Sequence, residues 1–358
     1  MVSTPRPGLT LHTSNRLEAL ADQLADILAD PLSSPLLPEI VVVQSNGMRR
    51  WLEQQIALRL GICSNVEFPF PQKLFHNLFR QAFPQAEGTN LYDTEVMTWR
   101  IMPQLSRLAT LPEFGAVANY LRGELTDLRA YELARKIAHV FDEYLVFRPA
   151  MILDWDAGGG NDWQAVLWRK LQQAAPRQHQ AALGLRLIEA LRQGAPVPER
   201  VSIFGVSTLP PFYVSLIGEI SARCCIHLFV MEPTPHWWGD IRSQREKARA
   251  RQPELFGLTD DETSDNELLG ANGKIGRDFL NLIADLETVS QREDFVSPTA
   301  KHRSSITARP ILLEIQGDIF ELKSGPPKAK RLVASNDHSL QIHSCHSIVR
   351  ELEVLYDY

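Results

Sequence analysis

The chain has 358 residues, 44% hydrophobic and 22% charged, with 37 basic against 43 acidic side chains for a net charge of −6. That apolar content builds packed globular structure, two domains or one large interrupted one, and excludes a disordered chain. The acidic balance excludes a non-specific nucleic-acid coat but leaves room for a local basic groove or interior channel.

No apolar run reaches the roughly 20 residues of a membrane span, and Met1 to Pro7 lacks a signal-peptide core. Cys63, Cys224, Cys225 and Cys345 form no CxxC pair and no disulfide framework, which fits a reducing cytoplasm.

In chain order, Thr10 to Thr13 reads as a short strand. A helix follows over 16–29, with Leu17, Leu20, Leu24, Ile27 and Leu28 at helical spacing and Ser14 or Asn15 as its cap. Pro31, Pro35 and Pro38 lead to a second strand, Ile40 to Val43. The β-branched run stops at Gln44, Ser45 and Asn46 turn the chain, and a helix opens near Gly47. It carries Arg49, Arg50 and Trp51 in its first turns and ends at Leu60 before Gly61. Strand, polar turn, helix is how an open α/β sheet presents a ligand site at the carboxyl ends of its strands. Amides, a guanidinium pair and an indole suit a phosphate backbone and bases better than a reaction.

Residues 65–68 form a third strand, Phe68-Pro69-Phe70-Pro71 is stiff and extended, and a helix over 72–83 closes the unit. From Tyr92 to Leu191 amphipathic helices take over: 95–108, 114–121, 125–146, 163–174 and 181–191. No strong strand interrupts them, so they read as an all-helical insertion. The sheet resumes with strands at 201–206 and 225–230 around a helix over 209–221. Residues 242–267 read as a charged loop and 288–308 as a polar linker, with helices at 274–286 and 311–322. Gly325 to Arg331 then links to a last strand, 339–345, and a helix from Ile348 at which the sequence stops. The pattern is that of an α/β fold, a parallel sheet interrupted by a helical insertion, and of the front part of a longer protein.

Several chemistries are weighed against plainer roles. A phosphate loop needs closely spaced glycines, a lysine and a hydroxyl, and the first strand–helix turn, Leu11 to Arg16, has neither glycine nor lysine. Gly158-Gly159-Gly160 follows no strand and reads as a loop. Phe141-Asp142-Glu143-Tyr144 looks like a metal-holding acidic box, but Ile137, Val140, Phe141, Tyr144 and Leu145 define one helix face, so the acids read as its solvated edge. A third role, accepting hydrogen bonds from base edges, is open to them. Asp318 with Glu321 and Lys323 resembles a nuclease site, yet that site needs a strand and Leu312, Ile315, Ile319 and Leu322 make a helix. His343, Cys345 and His346 lack a second ligand pair for zinc, and as neighbours on one strand face His343 and Cys345 read as core packing. Trp155, Trp163 and Trp168 read as helix packing; His236-Trp237-Trp238-Gly239-Asp240, after a strand end, is the place where a tryptophan is best set to stack a base.

With these motifs assembled, a resemblance emerges. Thr13 to Leu17, Val43 to Met48 with Trp51-Leu52, Phe68 to Pro71, Phe141-Asp142 with Tyr144 to Pro149, and Trp163-Gln164 with Leu167-Trp168 come in one order. Gly205-Val206-Ser207 with Leu209-Pro210-Pro211, Trp238 to Ile241, Gly273 to Asp278, Cys345-His346-Ser347, and Arg350-Glu351 with Glu353 to Leu355 continue it. The series resembles the N-terminal part of the RecC family, the gamma subunits of exodeoxyribonuclease V, over nearly the whole chain.

The resemblance implies a superfamily 1 helicase-like core without its ATPase residues. It makes 8–88 plus 200–290 a first motor-like domain, 90–198 its helical insertion, 291–337 a linker and helix, and 338–358 the start of a second motor-like domain. It implies no catalytic, cofactor or metal site in this chain. ATP and Mg²⁺ belong to partner subunits: a helicase-nuclease beta subunit and a helicase alpha subunit that act with it on single- and double-stranded DNA ends. Carried over position by position, the strand contacts are Gln44, Ser45, Asn46, Arg50, Phe70, His76, Asp142, Glu143 and Arg148. His76 stands where the family can have tryptophan, His139 where it can have an acid and Gln180 where it can have a base, so strand passage is implied more firmly than recognition of a particular sequence. The expected function is a DNA-binding, non-catalytic subunit of an ATP-dependent exonuclease–helicase complex, cytoplasmic, guiding one strand past a scan for a Chi-type sequence. The alternative is a subunit-interaction scaffold that never touches DNA, which the net charge of −6 favours.

Overall fold

The computed structural model describes residues 6–83, 91–123, 126–174, 176–243, 245–246, 266–300, 310–323 and 333–357. The chain divides into two compact units, one of residues 1–11, 21–229 and 282–291, the other of 12–20, 230–281 and 292–358.

The fold is α/β. Six strands, β1 (Gly8–Ser14), β2 (Glu39–Val42), β3 (Val66–Glu67), β4 (Arg200–Phe204), β5 (Cys225–Met231) and β6 (Ser290–Asp294), lie in the order β3-β2-β4-β5-β1-β6. β1 and β6 begin in the first unit and end in the second. β2 pairs in parallel with β3 and β4, and β4 with β5, so that Ile40 lies opposite Val201 and Val201 opposite Ile226. All five residues of β4 are buried, as a parallel strand covered on both faces requires. One of them is Arg200, whose Nε lies 3.1 Å from Glu39 Oε2 and whose terminal nitrogen donates to the Asp30 carbonyl at 2.6 Å. A buried guanidinium is tolerated because this carboxylate answers it, and the pair fixes the register of β2 against β4.

Two expectations are corrected here. β6 lies within the stretch read as a polar linker; its five side chains, Ser290 to Asp294, are all exposed, and an edge strand with no apolar face carries no alternating signal. Residues 339–345 form no strand. Asp337 and Ser339 instead cap the helix at 311–320: Asp337 accepts from Ile311 N at 2.7 Å and from Ser339 N at 2.9 Å, and Ser339 Oγ from Leu312 N at 3.2 Å. His343 is exposed and Cys345 half-buried, so neither packs a core as expected.

In the first unit, α2 (Asn46–Leu60) and α3 (Pro71–Ala82) follow β2 and β3. The helical stretch comprises α4 (Thr94–Leu108), a 3₁₀ turn (Pro112–Phe114), α5 (Gly115–Leu121), α6 (Thr126–Phe147), α7 (Pro149–Asp156), α8 (Trp163–Gln172) and α9 (Gln180–Arg192), and α10 (Pro211–Ser221) follows β4. α1 (Leu17–Leu28) precedes them all and crosses between the units. α7 is absent from the sequence reading: eight residues opened by a proline give too short a pattern, although proline suits a first turn.

The helical stretch is centred on one buried carboxylate. Asp156 accepts from Trp168 Nε1 and His179 Nε2, both at 2.8 Å, and from Gln172 Nε2. His179 Nδ1 accepts from Ala182 N at 3.3 Å, which places the ring proton on Nε2, toward Asp156. Phe141 meets Trp168 edge to face, and Tyr92 packs on both Trp168 and His179; burial pushes the Tyr92 phenol up to about 12.

In the second unit, α11 (Glu267–Asn272), α13 (Ile311–Phe320) and α14 (Ile348–Asp357) accompany α12 (Lys274–Ala284), which ends in the first unit. α11 begins at the end of the stretch read as a charged loop; residues 244 and 247–265 of that stretch, like the link at 325–331, lie outside the described residues. Trp238 is buried over Gly276 and beside Gly273. Asn15 closes the first strand–helix turn: Nδ2 donates to the Val296 carbonyl at 2.8 Å and Oδ1 accepts from Val296 N at 3.1 Å.

Candidate nucleic-acid interface

Neighbouring parallel strands deliver their carboxyl ends to the same edge of a sheet, so the turns after β2, β3 and β4 meet. Val43 N donates to the Pro69 carbonyl at 3.1 Å, joining the turn after β2 to the Phe68–Phe70 segment. Gln44 Nε2 donates to the Thr208 carbonyl at 3.0 Å, joining it to the turn after β4, and Gln44 Oε1 faces Ser207 Oγ at 3.4 Å. Three turns thus form one ledge. Gln44, Ser45, Asn46, Ser207, Thr208 and Phe70 are all exposed on it; Phe70, 43% exposed, is held there by its place as the N-cap of α3, with Pro71 behind it.

Ser45 caps α2, its Oγ accepting from Met48 N at 3.1 Å with an extended backbone, and Gly61 ends that helix in the left-handed region at φ +83°, where a Cβ is disfavoured. Ser45→Ala is expected to cost about 1 kcal/mol, the usual worth of such a cap, read as a lower urea midpoint. Arg49 pairs with Glu53 at 2.9 Å, and its guanidinium lies 5.9 Å from the centre of the Phe68 ring. Arg50 is exposed and makes no hydrogen bond or ion pair among the described residues, which leaves its charge to a ligand. Trp51 packs down, 6.3 Å from Phe204. His76 is exposed on α3.

The second group of expected contacts lies on the helical stretch. Glu143 is exposed on α6, but Asp142 is half-buried, so only one of the two acids is the solvated edge that the sequence suggested. Burial pushes the Asp142 carboxyl up, with His139 partly opposing. Tyr213 lies within range of that charge, stacks on Phe75 at 4.3 Å and donates to Gln180 Oε1 at 3.1 Å. Arg148 is exposed, 5.5 Å from the centre of the Tyr144 ring. No hydrogen bond, ion pair or ring contact among the described residues joins Asp142, Glu143 or Arg148 to the ledge.

Ser207 and Thr208 were not singled out by sequence reasoning as site residues. Their signal was indirect: a small polar pair directly after an apolar strand, the same pattern that marked Gln44. Among the described residues, no group of three or more His, Cys, Asp or Glu is placed to hold a metal, and no helix is long and apolar enough to cross a membrane.

The comparisons with known proteins converge. The family model "RecC, N-terminal domain" matches residues 9–322. The RecBCD enzyme subunit RecC of Escherichia coli is 31% identical, over 98% of this chain and 35% of that protein. Its counterpart in Haemophilus influenzae is 31% identical over 89% of this chain and 33% of its own length. The Mycolicibacterium smegmatis protein is 28% identical over 97% of this chain and 31% of its own length. The chain thus spans about a third of the length of the curated relatives it matches. A match of this extent to the family model and to these relatives shows that the chain belongs to the RecC family, through its N-terminal domain.

Proposed function

We propose that the chain is a DNA-guiding, non-catalytic part of an exodeoxyribonuclease V-type complex in recombination and repair, with a helicase-like sheet that has lost its phosphate loop. The observation that carries this reading is the ledge: three strand ends pinned together by Gln44 and Val43, presenting exposed amides, hydroxyls and the Phe70 ring. Gln44, Ser45 and Asn46 contact bases or sugars, Arg50 and Arg148 hold phosphates, and Phe70 stacks or wedges a base. Gln44 acts chiefly by positioning, since its amide is engaged with the 207–208 turn. A glycine-free first turn, closed by Asn15 on Val296, supports the loss of nucleotide chemistry. ATP and Mg²⁺ are then used by the helicase-nuclease and helicase partners, which pull the strand past this cytoplasmic subunit while it scans for a Chi-type sequence.

In the assembled complex, Arg50→Ala is expected to weaken binding to single strands and to reduce the salt slope of log K by about one unit. Unchanged affinity and salt dependence would remove Arg50 from the path. The net charge of −6 favours the scaffold alternative; photo-crosslinkers at positions 44, 46 and 70 decide between them, because a scaffold yields protein adducts and no DNA adduct.

A further inference from the structure

The carboxyl ends of β5, β1 and β6, at Met231, Ser14 and Asp294, meet in the second unit. Glu232 N, just past β5, donates to the Ser14 carbonyl at 2.9 Å, and Asn15 and Val296 exchange two hydrogen bonds just past β1 and β6. Thr234 Oγ1 donates to the Phe320 carbonyl at 2.7 Å, which ties the end of α13 to the turn after β5. These turns and α13 border a cleft of about 500 Å³ whose described lining residues all belong to the second unit. An open α/β sheet keeps its ligands outside such strand ends.

The walls are aliphatic: Pro233, Val296 and Pro298 on the side of the strands, Leu313 and Ile319 on α13. Among the described residues that line it there is no aromatic ring and no acid. The polar groups divide in two. Asn15 is taken up by Val296, and Ser297 Oγ lies 3.2 Å from Thr299 Oγ1. Arg16 and Gln316 are exposed, and their side chains make no hydrogen bond or ion pair among the described residues. An unanswered guanidinium with no acid beside it makes this a locally positive site in a chain of net charge −6. One cation suits a single carboxylate, which a guanidinium grips through two parallel N–H···O bonds, better than it suits a polyphosphate. With no ring to stack on, a base gains nothing here. The Gln316 amide has both a donor and an acceptor to offer a peptide group.

We propose that this cleft captures the carboxyl end of a polypeptide, its terminal carboxylate on Arg16, its last peptide group on Gln316 and its last aliphatic side chain against Pro233, Leu313 and Ile319. A chain terminus brings a carboxylate and its own side chain to one place, which matches a cation at the edge of an aliphatic pocket. The site needs no nucleic acid and shares no residue with the Gln44–Phe70 ledge, so each stands or falls alone.

The test uses the whole 358-residue chain and saturation-transfer NMR. N-acetyl-Leu-Leu with a free carboxylate is expected to bind about tenfold more tightly than its carboxamide, the scale of one charge-assisted hydrogen bond. Arg16→Ala, a change at an exposed side chain, should erase that preference, and Arg16→Lys should keep part of it, since a point charge replaces the fork. Gln316→Ala should weaken both dipeptides alike. Arg292→Ala, which removes an exposed cation of β6 outside the lining, should change nothing. Equal binding of acid and amide by the wild-type chain, no binding of either, or an undiminished preference in folded Arg16→Ala overturns the proposal. So does displacement of the dipeptide by an equal concentration of ATP, which makes the cleft a nucleotide pocket. Isocaproate, the same side chain and carboxylate without a peptide group, overturns it by binding as tightly as the dipeptide, which makes this a site for small free acids.

Discussion

Asp156→Ala is expected to destabilise the first unit by about 3–5 kcal/mol, the cost of leaving several buried hydrogen-bond donors without their shared acceptor. Side-chain exposure is 2% for Asp156 and 0% for His179, and the same carboxylate serves the Trp168 indole and the Gln172 amide. Its loss strands three buried donors, each worth roughly 1–3 kcal/mol when unsatisfied. Water entering the space offsets part of that sum, which is why the expectation lies below it. Asp156→Asn keeps an acceptor but turns an NH₂ toward a donor, and should cost about half as much. His179→Ala should add little to a chain that already carries Asp156→Ala, because the two act through one network. Thermal melts followed by circular dichroism read all three; a change below about 1 kcal/mol for Asp156→Ala would show that the pocket repacks without its acid.

Glu232→Gln is expected to remove a pH dependence confined to the second unit. Burial pushes the Glu232 carboxyl up to about 7, Glu293 adds to the rise, and the Trp238 indole beside it opposes. Among the described residues Trp238 Nε1 completes no hydrogen bond, so the ionised carboxylate is poorly compensated. An unfolded glutamate ionises near 4.5. Between those values the folded chain keeps a proton that the unfolded chain has released, so stability is greatest below the window, falls as pH rises through it, and levels off above about 7. The whole fall is about 3 kcal/mol, from about 1.4 kcal/mol per pKa unit. The glutamine variant should therefore melt higher than wild type at about pH 8 and no higher at about pH 5. Parallel pH profiles for the two chains would mean that Glu232 reaches water.

Legibility followed periodicity. β2, β4, β5 and the long helices were readable because each buries an apolar stripe or run that the sequence repeats, such as Val41-Val42-Val43 or Ile137 with Phe141 and Leu145. β6 was not, since Ser290 to Asp294 owes its conformation to a neighbouring strand rather than to its own side chains. The reverse error arose at 339–345, where an alternating pattern met no ladder and Asp337 and Ser339 were drawn into capping a helix. In the candidate site, exposure at Gln44 to Gly47 and at Arg49 and Arg50 followed from the strand–turn–helix pattern. That Gln44 latches onto Thr208 did not, because 164 positions separate them and no local rule pairs them. The Asp156 centre was invisible because its donors, close in sequence as they are, come from other elements, α8 and the residue before α9, which no single helix or strand period links to Asp156.

The neighbouring strands β2 and β4 are separated by residues 43–199, which include the whole helical stretch. Pairing them early means closing a very long loop before any ladder bond repays the lost chain entropy. A helical stretch that condenses first around Asp156, through contacts close in sequence, shortens that loop to the distance between its own ends. The centre of the sheet then forms late, after the helices, and a chain lacking Asp156 should refold slowly at β4 as well as melt early.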